Sequence, residues 1–178
     1  MNKLWVGFAT GLAALFAASS ASAFSIALDV PVAYEFDDGG SADEVSGFKL
    51  GLGIITLPAV DFGLGYERYE LTEDAGGTDA TVTFDIIDVF VDIPFPFINI
   101  VIGAGMGRTE FELGTVSKSA DVTQWYVSLG YPILLLFDIH VGWHQVMADE
   151  IDFTFGGLPA TVDVSGTMWS VGASIFFK

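Results

Sequence analysis

His140 and His144 are the only two histidines in the chain, four positions apart, with Asp138 just before them. On an extended strand that spacing puts both rings on one face about 13 Å apart, too far to share a metal ion. What remains is acid–base or nucleophilic chemistry, which needs a hydroxyl beside the ring and an acid to orient it. Ser170 and Ser174 repeat the spacing of four. If the two segments are neighbouring strands, His140 meets Ser174, His144 meets Ser170, and Asp138 is the orienting acid. The plainer reading is a row of polar side chains filling an interior. With no cysteine, disulfides, thiolate nucleophiles and cysteine metal sites are excluded. No cofactor motif is present.

A second set of chemical groups is acidic. Asp29, Glu35, Asp61, Glu67, Asp88, Asp92 and Asp138 all fall on the same phase of their segments as the histidines, with Lys49 as the one clear base. Buried carboxylates without partners are costly. Water, protons or cations must therefore neutralise them, and Asp29, Asp88, Asp92, Asp138, His140 and His144 are the candidate ligand or cation residues of such an interior.

The elements that position these groups are strands. Apolar residues alternate with small or polar ones in eight stretches, the period of two that strands require. They run Phe24–Phe36, about Gly47–Thr56, Val60–Tyr69, about Thr83–Ile93, Phe97–Arg108, about Val122–Tyr131, Ile133–Val146 and Val164–Phe177. The fourth is irregular. Its best phase sets Ile87, Val89, Val91 and Ile93 against Asp88 and Asp92, leaving Phe84 and Ile86 on the wrong face, which calls for a bulge near Ile86–Ile87. Ten strand glycines, at positions 51, 53, 63, 65, 103, 105, 107, 130, 142 and 172, share the polar phase. An eight-stranded barrel has little interior room, so small inward residues fit that phase.

Composition points to a membrane. The chain of 178 residues is 52% hydrophobic and 14% aromatic, yet carries a formal charge of −17. An apolar lipid-facing belt joined to acidic loops reconciles the two. After residue 23 no uncharged run reaches the roughly 20 apolar residues of a spanning helix, since the longest, Val122–Phe137, has 16 and includes a proline. A closed barrel is the other structure that satisfies its backbone in lipid. Residues 1–23 read as a cleaved signal peptide, with Lys3, an apolar stretch from Leu4 to Ala17, and Ala21-Ser22-Ala23 as the cleavage signal. Residues 24–178 would then form the barrel domain.

The connections alternate in length. Asp37–Ser46, Thr72–Ala80, Thr109–Asp121 and Ala148–Asp163 are long, whereas Leu57-Pro58-Ala59, Pro94-Phe95-Pro96 and the stretch around Tyr131-Pro132-Ile133 are short and contain proline. Long loops on one side and tight turns on the other are the pattern of outer-membrane barrels. An even number of strands puts both termini on the tight-turn, periplasmic side. Trp125, Trp143 and Trp169 face outward near the long-loop end, joined by Tyr34, Phe48 and Tyr66, as an aromatic girdle. Phe177 belongs to the opposite girdle with Phe24, Phe62, Phe97 and Tyr131. Trp169 to Phe177, 9 residues, climbs roughly 22 Å at a tilt near 40°, the height of an apolar band.

With its signal peptide, eight amphipathic strands, alternating loops and aromatic last strand, the whole mature chain resembles the small eight-stranded bacterial outer-membrane barrels, the class of the OmpA membrane domain and OmpX. The resemblance implies an antiparallel up-and-down transmembrane barrel. It also implies recognition of the last strand by the barrel-assembly machinery, although Lys178 here follows the terminal aromatic. Fold does not give function. The four long loops hold fourteen acids against the single base Lys118, a rim that repels nucleic acid and attracts divalent cations loosely. The sequence leads to a non-enzymatic structural or surface-interaction barrel in outer-membrane lipid. A narrow cation-permeable pore and a lipid-modifying enzyme are the alternatives.

Overall fold

The structure, a computed structural model, describes residues 24–177 apart from 58–59, 75–77, 135 and 156–157. The expected signal peptide lies outside the described residues. Ten strands follow in order: β1 Phe24–Phe36, β2 Glu44–Thr56, β3 Asp61–Asp74, β4 Asp79–Pro94, β5 Asn99–Leu113, β6 Val116–Leu134, β7 Phe137–Ala148, β8 Ile151–Phe155, β9 Leu158–Val162 and β10 Gly166–Phe177. Eight of them close an antiparallel barrel in the order β1-β10-β7-β6-β5-β4-β3-β2, and β8 with β9 forms a separate hairpin. Closure leaves no free sheet edge along the wall. No helix among the described residues is long and apolar enough to cross a membrane.

Three expected loops are mostly sheet. β3–β4 pair as far as Asp74↔Asp79 and β5–β6 as far as Leu113↔Val116. Between the latter, Gly114 sits at φ +59, the left-handed conformation that a tight hairpin turn asks of glycine. The Ala148–Asp163 connection contains the β8–β9 hairpin. Pairing also displaces the third short turn. Tyr131 and Pro132 lie within β6, and Leu134 pairs with Phe137, so the chain reverses after Leu134. Leu136, expected inward, is exposed beside that turn, and Leu135 lies outside the described residues.

The bulge expected at Ile86–Ile87 is absent. β4 pairs without interruption on both sides, and Phe84 and Ile86 are fully buried inside the barrel. Register instead shifts between Pro31 and Ala33, between Gly53 and Ile55, and between Pro132 and Leu134. The first shift reverses two expectations. An extra residue at Val32 exchanges the faces of everything after it. Tyr34 therefore turns inward, fully buried, with its hydroxyl donating to the Val164 carbonyl at 2.6 Å, and takes no part in the outer girdle. Glu35, expected inward, is exposed.

The two faces of the wall exchange character at one level. Outside, a belt of exposed Leu28, Leu50, Leu64, Val89, Ile102, Leu129, Val141 and Val171 ends near Tyr66, Trp125, Trp143 and Trp169. Beyond it the outward positions turn polar, for instance Arg68 paired with Asp85. Inside, the order is reversed. Carboxylates, histidines and serines line the lumen at belt level, while towards the long-hairpin end Tyr34, Tyr69, Leu71, Val82, Phe84, Ile86, Phe111, Val122 and Val146 form a buried apolar core. Ile151, from β8, Val164 and Met168 complete it. A wall surrounded by hydrocarbon must be apolar outside, and one surrounded by water must be apolar inside.

Candidate functional site in the lumen

Two polar clusters fill the belt-level lumen. In the first, Lys49 of β2 pairs with Glu67 of β3 and lies 3.4 Å from Asp88 of β4. The Lys49 ammonium also sits 3.2 Å from the centroid of the Tyr126 ring, a cation–π contact between two buried side chains. Tyr126 donates its hydroxyl to Asp88 at 2.6 Å and stacks on His144, ring centroids 4.9 Å apart. His144 Nε2 is 3.1 Å from Ser170 Oγ. Glycines make the space: a Cβ at Gly65 would collide with the Asp88 carboxylate, and one at Gly103 with the Tyr126 ring.

The second cluster lies towards the short-turn end. His140 is held between two carboxylates, with Nε2 2.8 Å from Asp29 Oδ1 and Nδ1 3.3 Å from Asp138 Oδ1. Asn99 donates to the other Asp138 oxygen at 2.6 Å. Ser174 Oγ lies 3.5 Å from His140 Nδ1. Asp92 is buried with its Oδ1 unpartnered; beyond the first cluster, opposite Gly105 and Val146, both polar side-chain atoms of Gln124 are likewise unpartnered. Asp61 faces Asp92 across the β3–β4 ladder.

Both hydroxyl–imidazole pairs expected from the spacing of four are therefore brought together. The register explains it, because Ser174 pairs with Asp138 and Gly172 with His140 across β10–β7. Their chemistry is another matter. A general base needs a free lone pair towards its serine, but both nitrogens of His140 already face carboxylates. Ser170 and His144, with Glu67 3.7 Å from Nδ1, come nearer to a serine–histidine–acid arrangement. All three are 1% exposed, closed off from solvent inside the barrel. Among the described residues no group of three or more acidic or histidine side chains is arranged to hold a metal ion.

Of the girdle residues, Trp125 and Trp143 touch edge to face at 4.8 Å and Trp169 lies opposite Trp143 in the ladder. Tyr66 donates to Asp85 at 2.6 Å, and Phe177 stacks on Phe24 at 4.4 Å. Sequence reasoning missed the roles of Tyr126, Asn99 and Gln124. The available signal was an aromatic on the glycine-rich phase, Tyr126, directly across the ladder from Gly103.

No protein-family model matches the sequence, and no curated protein matches it either. Solved structures do match in shape. Neisserial surface protein A superposes with a TM-score of 0.56 at 18% identity, over 87% of this chain and 99% of that one. The attachment invasion locus protein Ail of Yersinia pestis gives 0.58 at 15%, over 87% and 97%. The outer membrane protein OprG of Pseudomonas aeruginosa gives 0.59 at 12%, over 88% and 96%. The fold is that of the small eight-stranded outer-membrane barrels.

Proposed function

We propose that the chain is a non-enzymatic outer-membrane protein, a closed anchor that presents an acidic face outside the cell. In this reading residues 1–23 direct export and are removed, both termini lie in the periplasm, the apolar belt sits in lipid, and the long hairpins project outward. The aromatic last strand serves recognition by the barrel-assembly machinery, and no cofactor is required. The observation that carries the reading is the buried apolar core across the lumen at the long-hairpin end. It leaves the outer face as the part open to partners. That face carries Asp38, Glu73, Asp79, Glu110, Glu112, Asp149, Glu150 and Asp152, all exposed, so divalent cations and basic partners suit it and nucleic acid does not.

A pore would need water to cross Tyr34, Tyr69, Phe84 and Ile86, each at most 2% exposed. A lipid-modifying enzyme would need its serine and histidine to meet lipid, and they face inward. The test is planar-bilayer recording on the full chain together with binding to immobilised polylysine and heparin. We expect no steady current and retention on polylysine alone; a cation-selective current would replace this reading with the pore. Ail has been crystallised with the heparin analogue sucrose octasulfate, and this acidic face would repel such a polyanion.

A further inference from the structure

The outward wall carries a groove of about 610 Å³ across β1, β10, β7 and β6. One row of the ladder forms one flank and floor, in the order Leu28, Ala173, Ile139, Tyr131. The next row towards the long-hairpin end contains Val171 and Leu129. Leu28 is 52% exposed, Leu129 57% and Tyr131 60%, whereas Ala173 between them is half-buried. The dent forms where Ala173 stands in the ladder between the larger Leu28 and Ile139, with Tyr131 beyond. Three strand spacings make it about 14 Å long and two residues about 7 Å wide.

We propose that this groove binds one acyl chain of a phospholipid from the leaflet at the short-turn end of the barrel. The inference rests on the membrane placement proposed above. At belt level the surroundings are hydrocarbon, so what covers the groove is lipid unless a second copy displaces it. The shape suits one flexible chain, long and narrow with apolar flanks. A gap left there would forfeit dispersion contacts along its whole lining, and in lipid such packing, not water exclusion, drives association. Tyr131 stands at the short-turn rim, where an aromatic with a polar tip sits at headgroup level. That position selects the phospholipid of that leaflet.

The experiment uses the full chain inserted into nanodiscs of phosphatidylethanolamine and phosphatidylglycerol, then transferred to native mass spectrometry. Heat-modifiable migration on gels reports insertion separately, so failure to insert counts against the membrane reading and not against the groove alone. We expect the unaltered protein to retain one phospholipid, Ala173→Phe to lose it, and Ala104→Phe, an alanine elsewhere on the outward wall, to keep it. Equal retention by the unaltered protein and Ala173→Phe overturns the proposal. So does a dimer that Ala173→Phe dissociates, which would assign the groove to a second copy, or retention of lipopolysaccharide in place of phospholipid when both are supplied. If Ala173→Phe does not insert, the unaltered protein decides. Persistent nuclear Overhauser contacts from acyl methylenes to the Ala173 methyl and not to the Ala104 methyl support the site, and equal contacts overturn it.

Discussion

Lys49 shows how a single side chain governs the lumen. Its ammonium serves Glu67 Oε1, Asp88 and the face of Tyr126 at once, and Glu67 Oε2 accepts no hydrogen bond. Removing one member of a buried charge cluster strands the others, at a cost of about 3–5 kcal/mol, whereas removing charges of both signs together is often neutral. Lys49→Met is therefore expected to lower stability by about 3–5 kcal/mol in urea unfolding from lipid vesicles. Adding Glu67→Gln and Asp88→Asn should recover most of the loss. If Lys49→Met unfolds at the same urea concentration as the unaltered protein, the cluster is solvated and contributes nothing.

Each strand carries two environments, and substitutions should reveal the boundary between them. On β10 the outward positions Val171 and Thr167 lie on opposite sides of Trp169. Val171→Arg places a charge in the belt and should cost about 2–4 kcal/mol. Thr167→Arg, on the same face but beyond the girdle, should change stability by no more than about 0.5 kcal/mol. Similar costs at both positions would move the boundary. On β4 the inward positions divide in the same way. Phe84, stacked on Tyr69 at 4.6 Å, belongs to the apolar core, and Phe84→Ala should lose about 3–5 kcal/mol through the cavity it leaves, as denaturant titration would show.

For the molecule as a whole, the long-hairpin end carries exposed carboxylates, Glu73, Asp79, Glu110, Glu112 and Asp149 among them, above a self-packed apolar core. Phe153 of β8 lies against Phe111, ring centroids 5.4 Å apart, which fixes the last hairpin over the mouth. Like charges on such a surface repel, and dissolved ions screen them. Raising sodium chloride from 10 mM to about 0.3 M, which shortens the screening length several-fold, should raise the unfolding midpoint. Millimolar magnesium should do the same at lower ionic strength. A midpoint that does not respond to either salt would mean that the rim carboxylates lie too far apart to interact.

Much of this was legible in order along the chain. Period-two alternation assigns faces because successive side chains must point to opposite sides of a strand. The glycine phase, the short turns and the aromatic last strand then give strand number, closure and belt. Alternation does not say which medium a face meets. Phe84 and Ile86 looked misplaced because they obey the rule for a wall in water, while Asp88, two residues on, obeys the rule for a wall in lipid. Parity is equally fragile: one extra residue at Val32 reversed Tyr34 and Glu35. Two of the three register shifts adjoin a proline, whose missing N–H weakens the ladder there. The pairing of Lys49 with Tyr126, the doubly held His140 and the dent at Ala173 depend on residues far apart in sequence. Only closure of the barrel, which pairs β1 with β10 and sets side chains from opposite walls in contact inside, decided them.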